Sequence, residues 1–227
     1  MARWSLVSAN EIVDVSNPEA ADYGSRIQQA AHNLKDGRLV VLPTDTVYGV
    51  AADAFSSPAV AALLAAKGRG RDYPVPVLVA NPGVLYGLVT IAPPTAVALT
   101  ERFWPGALTV VVEYSRSLAW DIGETGGTVA LRMPDCQVTL DVLALTGPLA
   151  VSSANKHGEA PARTGRAAAD QLGDSVELYL EAGELGGAAP STIVDCTVTP
   201  PRVVRQGALS LDQLREVVPD IAEESGA

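Results

Sequence analysis

RLVVLPTDTVYGV, residues 38–50, reads as a short buried strand delivered into a polar turn. Leu39 to Leu42 form an apolar run rich in β-branched residues, and Pro43 stops it because proline cannot donate to a strand ladder. Before this run, Ile27, Ala30, Ala31 and Leu34 recur at helical spacing within residues 19–36, and Gly37 stands where a helix closes in a left-handed residue. After it, Ser57 and Pro58 supply an N-cap and a first helical position. The helix then runs through PAVAALLAAK to Gly68, which places Lys67 at its C-terminal edge.

The rest of the chain repeats this alternation. Strands are expected in VPVLVA (75–80), ALTVVVEY (107–114), TVALRM (128–133), LAVSS (149–153), VELYLE (176–181), STIVDC (191–196) and RVVR (202–205). Helices are expected near 94–103, 135–145, 164–172 and 210–217. Interleaved strands and helices predict an α/β or α+β fold, and the close spacing of strands after residue 176 points to a mixed rather than purely parallel sheet. No repeat or linker divides the chain, so residues 1–227 are read as one domain, with 219–227 (PDIAEESGA) as a frayed acidic tail.

Hydrophobic residues make up 48% and charged residues 19%, a balance that supports a packed core rather than disorder. The formal net charge of −10 disfavours a protein that coats nucleic acid, although a few arginines converging in one cleft can still create a local positive potential. Cys136 and Cys196 are far apart, without the spacing of a disulfide framework or a metal knuckle, and read as reduced core thiols. The first twenty residues show no basic segment followed by an apolar run, and no stretch approaches about 18 uninterrupted apolar residues. The expected location is therefore the cytoplasm, without a membrane partner.

The familiar phosphate-binding and nucleophile motifs are missing: there is no GxxxxGK[ST], no GxGxxG between strand and helix, and no GxSxG. His32 and His157 read as surface or packing histidines, and together with the two cysteines they lack the paired spacing of a zinc site. Polar and basic residues do accumulate at element ends: PTDTVYGV (43–50), KGR (67–69), Arg132, SSAN (152–155), Ser191 and Arg205. Open α/β sheets bind ligands at such ends.

Lys67-x-Arg69 with Ser153-x-Asn155, preceded by Pro43-Thr44-Asp45-Thr46-Val47-Tyr48-Gly49, resembles the YrdC-like threonylcarbamoyl-adenylate synthase family in its single-domain form. With Arg132 in VALRMP, Ser191-Thr192 and Arg205 before Gly207, the likeness covers about residues 20–210. It implies a twisted, open, mixed parallel/antiparallel sheet flanked by helices, with a large positively lined cavity. It also implies synthesis of threonylcarbamoyl-AMP and pyrophosphate from L-threonine, bicarbonate and ATP with Mg2+, for tRNA modification beside the anticodon. Downstream tRNA threonylcarbamoyl-transfer proteins and a weak tRNA contact are the implied partners.

On this resemblance Lys67, Arg69, Ser153 and Asn155 carry the chemistry, and Thr128 and Arg205 join them in holding ATP. Thr46, Arg132, Ser152 and Ser191 are expected to hold threonine. The GETGGT loop (123–128) is an open candidate for backbone contacts to phosphate. One departure stands out: many relatives read N-P-L-x-V-H after the KxR helix, whereas this chain reads Tyr73-Pro74-Val75-Pro76-Val77-Leu78, so Leu78 brings no imidazole. Two other readings stay open: an RNA-binding module without catalysis, and carbamoyl-adenylate chemistry on another acceptor.

Overall fold

The computed structural model describes residues 11–186 and 189–223. Helix α1 (Tyr23–Lys35) turns Ile27, Ala30, Ala31 and Leu34 inward, the stripe expected from their spacing, and Gly37 follows at φ 79°. Strand β2 (Val40–Leu42) is wholly buried. The 43–48 turn folds back into β3 (Gly49–Asp53), which pairs antiparallel with β2. Helix α2 (Ser57–Ala66) is capped one residue earlier than its sequence suggested: the Ser56 hydroxyl accepts the Ala59 N–H, and Pro58 sits in the first turn.

The remaining elements are β1 (Glu11–Asp14), β4 (Val77–Leu78), α3 (Val84–Leu88), α4 (Pro94–Phe103), β5 (Leu108–Glu113), β6 (Thr128–Arg132), α5 (Gln137–Thr146), β7 (Leu149–Ser153), α6 (Gly165–Leu172), β8 (Leu178–Glu181), β9 (Thr192–Asp195), β10 (Arg202–Arg205) and α7 (Leu211–Arg215). They form one ten-stranded sheet in the order β1-β8-β2-β3-β7-β4-β6-β5-β9-β10. The pairs β1/β8, β2/β8, β4/β6 and β5/β9 are parallel, and the others are antiparallel. The sheet is mixed, as the sequence predicts. Three elements, β1, β3 and α3, are additions to the sequence expectation.

Alternate residues of each strand point to opposite faces, and the two faces are covered unequally. On one face α2, α4, α6 and α7 pack on Val41, Val50, Val77, Val110, Leu131, Ala150, Tyr179 and Val194. On the other, α1 and α5 pack on Val40, Leu42, Ala51, Leu78, Leu149, Val151, Leu178 and Leu180. That second layer involves no residue of β5, β6, β9 or β10. Those strands accordingly alternate: Leu108, Val110 and Val112 are buried, while Thr109, Val111 and Glu113 take the other side. Half of one sheet face is left for a site.

The expected frayed tail is corrected for the residues described. Ile221 is buried, Ala222 bridges to Arg202, and the Val203 N–H donates to Ala222 O at 3.0 Å, so the chain through Glu223 is tied to β10. Residues 224–227 lie outside the described part.

Gly207 fixes how β10 returns past β9. A Cβ there would lie 2.5 Å from the Ser191 carbonyl carbon and 2.6 Å from its oxygen, with the Pro190 oxygen closer still. These are backbone atoms and cannot swing aside. Gly207→Ala is therefore expected to cost about 1–3 kcal/mol in urea unfolding, as overpacking does; an unchanged midpoint would contradict this packing.

Candidate active site

A cavity of about 370 Å3 opens where the α1/α5 layer ends. It reaches seven consecutive strands, from Gly49 on β3 through Val151 and Ser153, Leu78, Arg132, Thr109 and Ile193 to Arg205 on β10. The register sets Leu78 opposite Arg132, Thr109 opposite Ile193 and Ile193 opposite Arg205 on one side of the opening, and Gly49 opposite Ser153 on the other, since Leu78 itself pairs with Leu149, four residues before Ser153 on β7. The lining contains three arginines, Arg69, Arg132 and Arg205, and no aspartate or glutamate. In a chain of net charge −10, this hollow concentrates positive potential.

The 43–48 turn is rigid because Thr44 organises it. Its hydroxyl accepts the Thr46 and Val47 N–H groups at 3.1 and 3.2 Å and lies 2.6 Å from Val47 O. The Thr139 hydroxyl of α5 donates to Pro43 O. Tyr48 anchors the exit: its hydroxyl oxygen sits 2.7 Å from Gly183 O and accepts the Ala182 N–H at 2.9 Å. Against this turn lies Arg132, with Nε donating to Gly106 O at 3.0 Å, Nη1 to Thr46 Oγ1 at 2.9 Å and Nη2 to Asp45 Oδ1 at 2.6 Å. An arginine has five N–H donors, so these bonds fix its orientation and leave a donor on each terminal nitrogen.

Lys67 is 1% exposed. Its ammonium donates to Ser153 O, to Asn155 O at 2.7 Å, and lies 3.5 Å from Asn155 Oδ1. Its carbonyl accepts the His157 N–H at 2.9 Å, so both ends of Lys67 clasp the 153–157 loop. Asn155 completes the loop by donating to Lys156 O and Glu159 O. Burial, with the nearby Arg69 charge, pulls the lysine down to about 8. The two carbonyl acceptors favour its charged form.

Gly68, at φ 66°, ends α2 with the Arg69 N–H returning to Leu64 O at 2.9 Å, which turns Arg69 into the cavity. Arg69 Nη1 donates to Ser152 Oγ at 3.3 Å and Nε to His157 Nδ1 at 3.3 Å. Arg205 donates to Ser191 O at 2.8 Å and Ser191 Oγ at 3.1 Å, and that hydroxyl pairs with Thr109 Oγ1 at 2.8 Å. Burial first, and then the Arg132 charge, lower the Arg205 guanidinium below the usual arginine range. Among the described residues neither Arg69 nor Arg205 forms an ion pair, so both bring an unneutralised charge to the cavity.

Seven of the residues singled out in sequence meet here: Thr46, Arg69, Arg132, Ser152, Ser153, Ser191 and Arg205. Lys67 and Asn155 stand behind them, with their polar groups turned to one another. Thr128 is not brought to the cavity. It begins β6, four residues before Arg132 or roughly 13 Å along the strand, and its hydroxyl donates to Thr125 O at 2.9 Å. The GETGGT loop is likewise absent from the lining; Gly126 and Gly127 border a separate depression with Ser115 and Arg116. Leu78, the departure noted in sequence, forms cavity wall beside Arg132.

The sequence reading missed Asp45, Thr109 and His157, which acquire their roles only through long-range contacts with Arg132, Ser191 and Arg69. A larger hollow of about 560 Å3 between α5 and the residues after β4 is lined by Ala80, Asn81, Leu140, Asp141 and their neighbours, with no cation. Its chemistry does not suit an anion. Among the described residues no group of three or more His, Cys, Asp or Glu is placed to hold a metal, and no helix is long and apolar enough to cross a membrane.

Residues 32–207 match the Sua5/YciO/YrdC family model, described as "Telomere recombination". A Mycobacterium leprae protein bearing the provisional name threonylcarbamoyl-AMP synthase is 49% identical over 94% of this chain and 96% of its own length. The Pyrococcus abyssi threonylcarbamoyl-AMP synthase is 36% identical over 86% of this chain, which spans 58% of that longer protein. The crystal structure of P. abyssi Sua5 complexed with L-threonine superposes with a TM-score of 0.88 at 33% identity, covering 95% of this chain and 63% of that one. Sequence and fold agree: the chain belongs to the Sua5/YciO/YrdC family.

Proposed function

We infer that this protein is an L-threonylcarbamoyladenylate synthase, forming threonylcarbamoyl-AMP and pyrophosphate from L-threonine, bicarbonate and ATP for tRNA modification beside the anticodon. The observation that carries this reading is the meeting of three arginines, of which only Arg132 is paired with a carboxylate among the described residues, and several hydroxyls in one cavity on the open sheet face. It accompanies the fold of a relative solved with L-threonine. The threonine amine condenses with bicarbonate, losing water, to give a carbamate. A carbamate oxygen then attacks the α-phosphorus of ATP, and the bond to pyrophosphate breaks. No protein nucleophile is required, so the work of the site is positioning and charge neutralisation.

The residues divide by their surroundings. Arg132, pre-oriented by Asp45, Thr46 and Gly106, can offer its two remaining donors to the threonine carboxylate, with Thr46, Ser152 and Ser191 near the amino acid. Arg69 and Arg205 face the triphosphate, joined by Ser153. Lys67 and Asn155 are assigned a positioning part, since their polar groups hold the loop that presents Ser152 and Ser153. Thr128 is within reach only of a ligand extending along β6 beyond the cavity. Magnesium does not find a protein cage among the described residues, and we assign its coordination to the phosphates and water.

The proposed setting is the cytoplasm, with a transfer protein taking up the product and at most a weak direct contact with tRNA. The reaction itself is checked by pyrophosphate release: the purified protein should require both threonine and bicarbonate. Release that continues unchanged without threonine would overturn the assignment.

Two substitutions separate the clasp from the cavity wall. Lys67→Met strands two carbonyl acceptors and should lower stability by about 1–3 kcal/mol as well as abolish turnover. Arg69→Ala should stay within about 0.5 kcal/mol of the parent in urea unfolding, because its side chain is only partly buried and has no carboxylate partner among the described residues. It should nevertheless bind a non-hydrolysable ATP analogue at least about tenfold more weakly, the loss expected for a charge-assisted contact. Equal stability losses in the two variants would contradict this division. Because the Lys67 ammonium sits at about 8, binding of the analogue should also weaken reversibly as the pH rises through that value.

A further inference from the structure

We propose that Tyr73 and His157 are positioning residues that bracket the Arg69 guanidinium and aim it at the nucleotide; the proposal rests on the ATP-binding reading of the cavity. Arg69 Nε donates to His157 Nδ1 at 3.3 Å, and its guanidinium carbon lies 5.4 Å from the centre of the Tyr73 ring. The two brackets also touch each other: the Tyr73 and His157 ring centres are 5.2 Å apart with an interplanar angle of 65°, an edge-to-face contact. Ser152 Oγ, 3.3 Å from Nη1, is the third partner.

Every one of these partners is uncharged when His157 is neutral. A carboxylate in their place would hold the side chain still but would also neutralise it and compete with phosphate. The bracket restrains the long side chain and leaves its charge available. It also selects an edge: with Nε taken by His157, the edge formed by the two terminal nitrogens is presented to a phosphate in paired hydrogen bonds.

Both residues sit on loops held by backbone hydrogen bonds. The His157 N–H is bonded to Lys67 O, and the Tyr73 N–H to Gly70 O at 3.3 Å. Tyr73 is 43% exposed and His157 is exposed, so neither is required by the core. Pre-orienting a flexible cation lowers the entropy lost when the ligand binds.

The test uses the full-length protein and the affinity of a non-hydrolysable ATP analogue, measured by calorimetry, together with the separate KM values for ATP and threonine. Tyr73→Ala and His157→Ala should each weaken the analogue about fivefold, the range of an exposed cation–π contact or a single hydrogen bond. Tyr73→Phe, which keeps the ring face, and His157→Asn, whose side-chain oxygen can accept from Nε, should recover to within about twofold. Threonine KM should not move. In an Arg69→Ala background neither alanine substitution should have a further effect, since no guanidinium remains to be aimed. If Arg69→Ala weakens the analogue while Tyr73→Ala and His157→Ala do not, the bracket is refuted and the ATP-binding reading stands. The bracket is equally refuted if the losses persist without Arg69, or if ATP and threonine KM rise together. If Arg69→Ala itself leaves the analogue affinity unchanged, both readings fall.

Discussion

The buried ammonium of Lys67 holds the site together. A charged lysine is costly to remove from water, and it persists here because the carbonyls of Ser153 and Asn155 accept hydrogen bonds from it. The same residue caps α2 and accepts the His157 N–H through its own carbonyl. One side chain therefore sets the distance between the end of α2, which carries Arg69, and the end of β7, which carries Ser152 and Ser153. The arginine and the two serines keep a fixed spacing because the lysine cannot move without exposing three partners at once.

The second constraint is the unequal covering of the sheet. Helices α1 and α5 close one face only as far as Leu78 and Val151. Beyond that line the helices cover only one side of the strands, and the other side brings Thr109 and Arg132, with Ile193 between polar neighbours and Ser191 from just before β9, to the cavity. Arg132 takes its orientation from the 43–48 turn, whose Asp45 and Thr46 it bonds directly. The resulting lining is cationic although the whole chain is acidic, so the attraction for anions is local to the hollow.

Much of this is legible in sequence. The apolar run before Pro43, the Ser-Pro start and Gly68 end of α2, and the strand at 107–114 each follow from local physics and appear in the structure within a residue or two. Strand β3 escapes a local reading because GVAAD carries glycine and alanine and little β-branched character; its pairing with β2 and β7 makes it a strand. Strand β1 is short and half exposed, with only parallel pairing to β8 to define it. The tail reads as frayed in sequence because the burial of Ile221 depends on a bridge to β10 that no local pattern announces.

For the site, residue types at strand ends point to the right neighbourhood, whereas the division of labour is hidden. Lys67 in sequence is a cation at a helix end, and only the loop brought from 88 positions away turns it inward. His157 looks like an ordinary loop residue for the same reason. The central claim is tested most directly by amide hydrogen exchange with and without ATP plus L-threonine. Added protection is predicted at 44–49, 67–73, 151–157 and 190–193, the segments that frame the arginine-lined cavity. Protection confined to the hollow along α5, at 80–84 and 137–148, would contradict it.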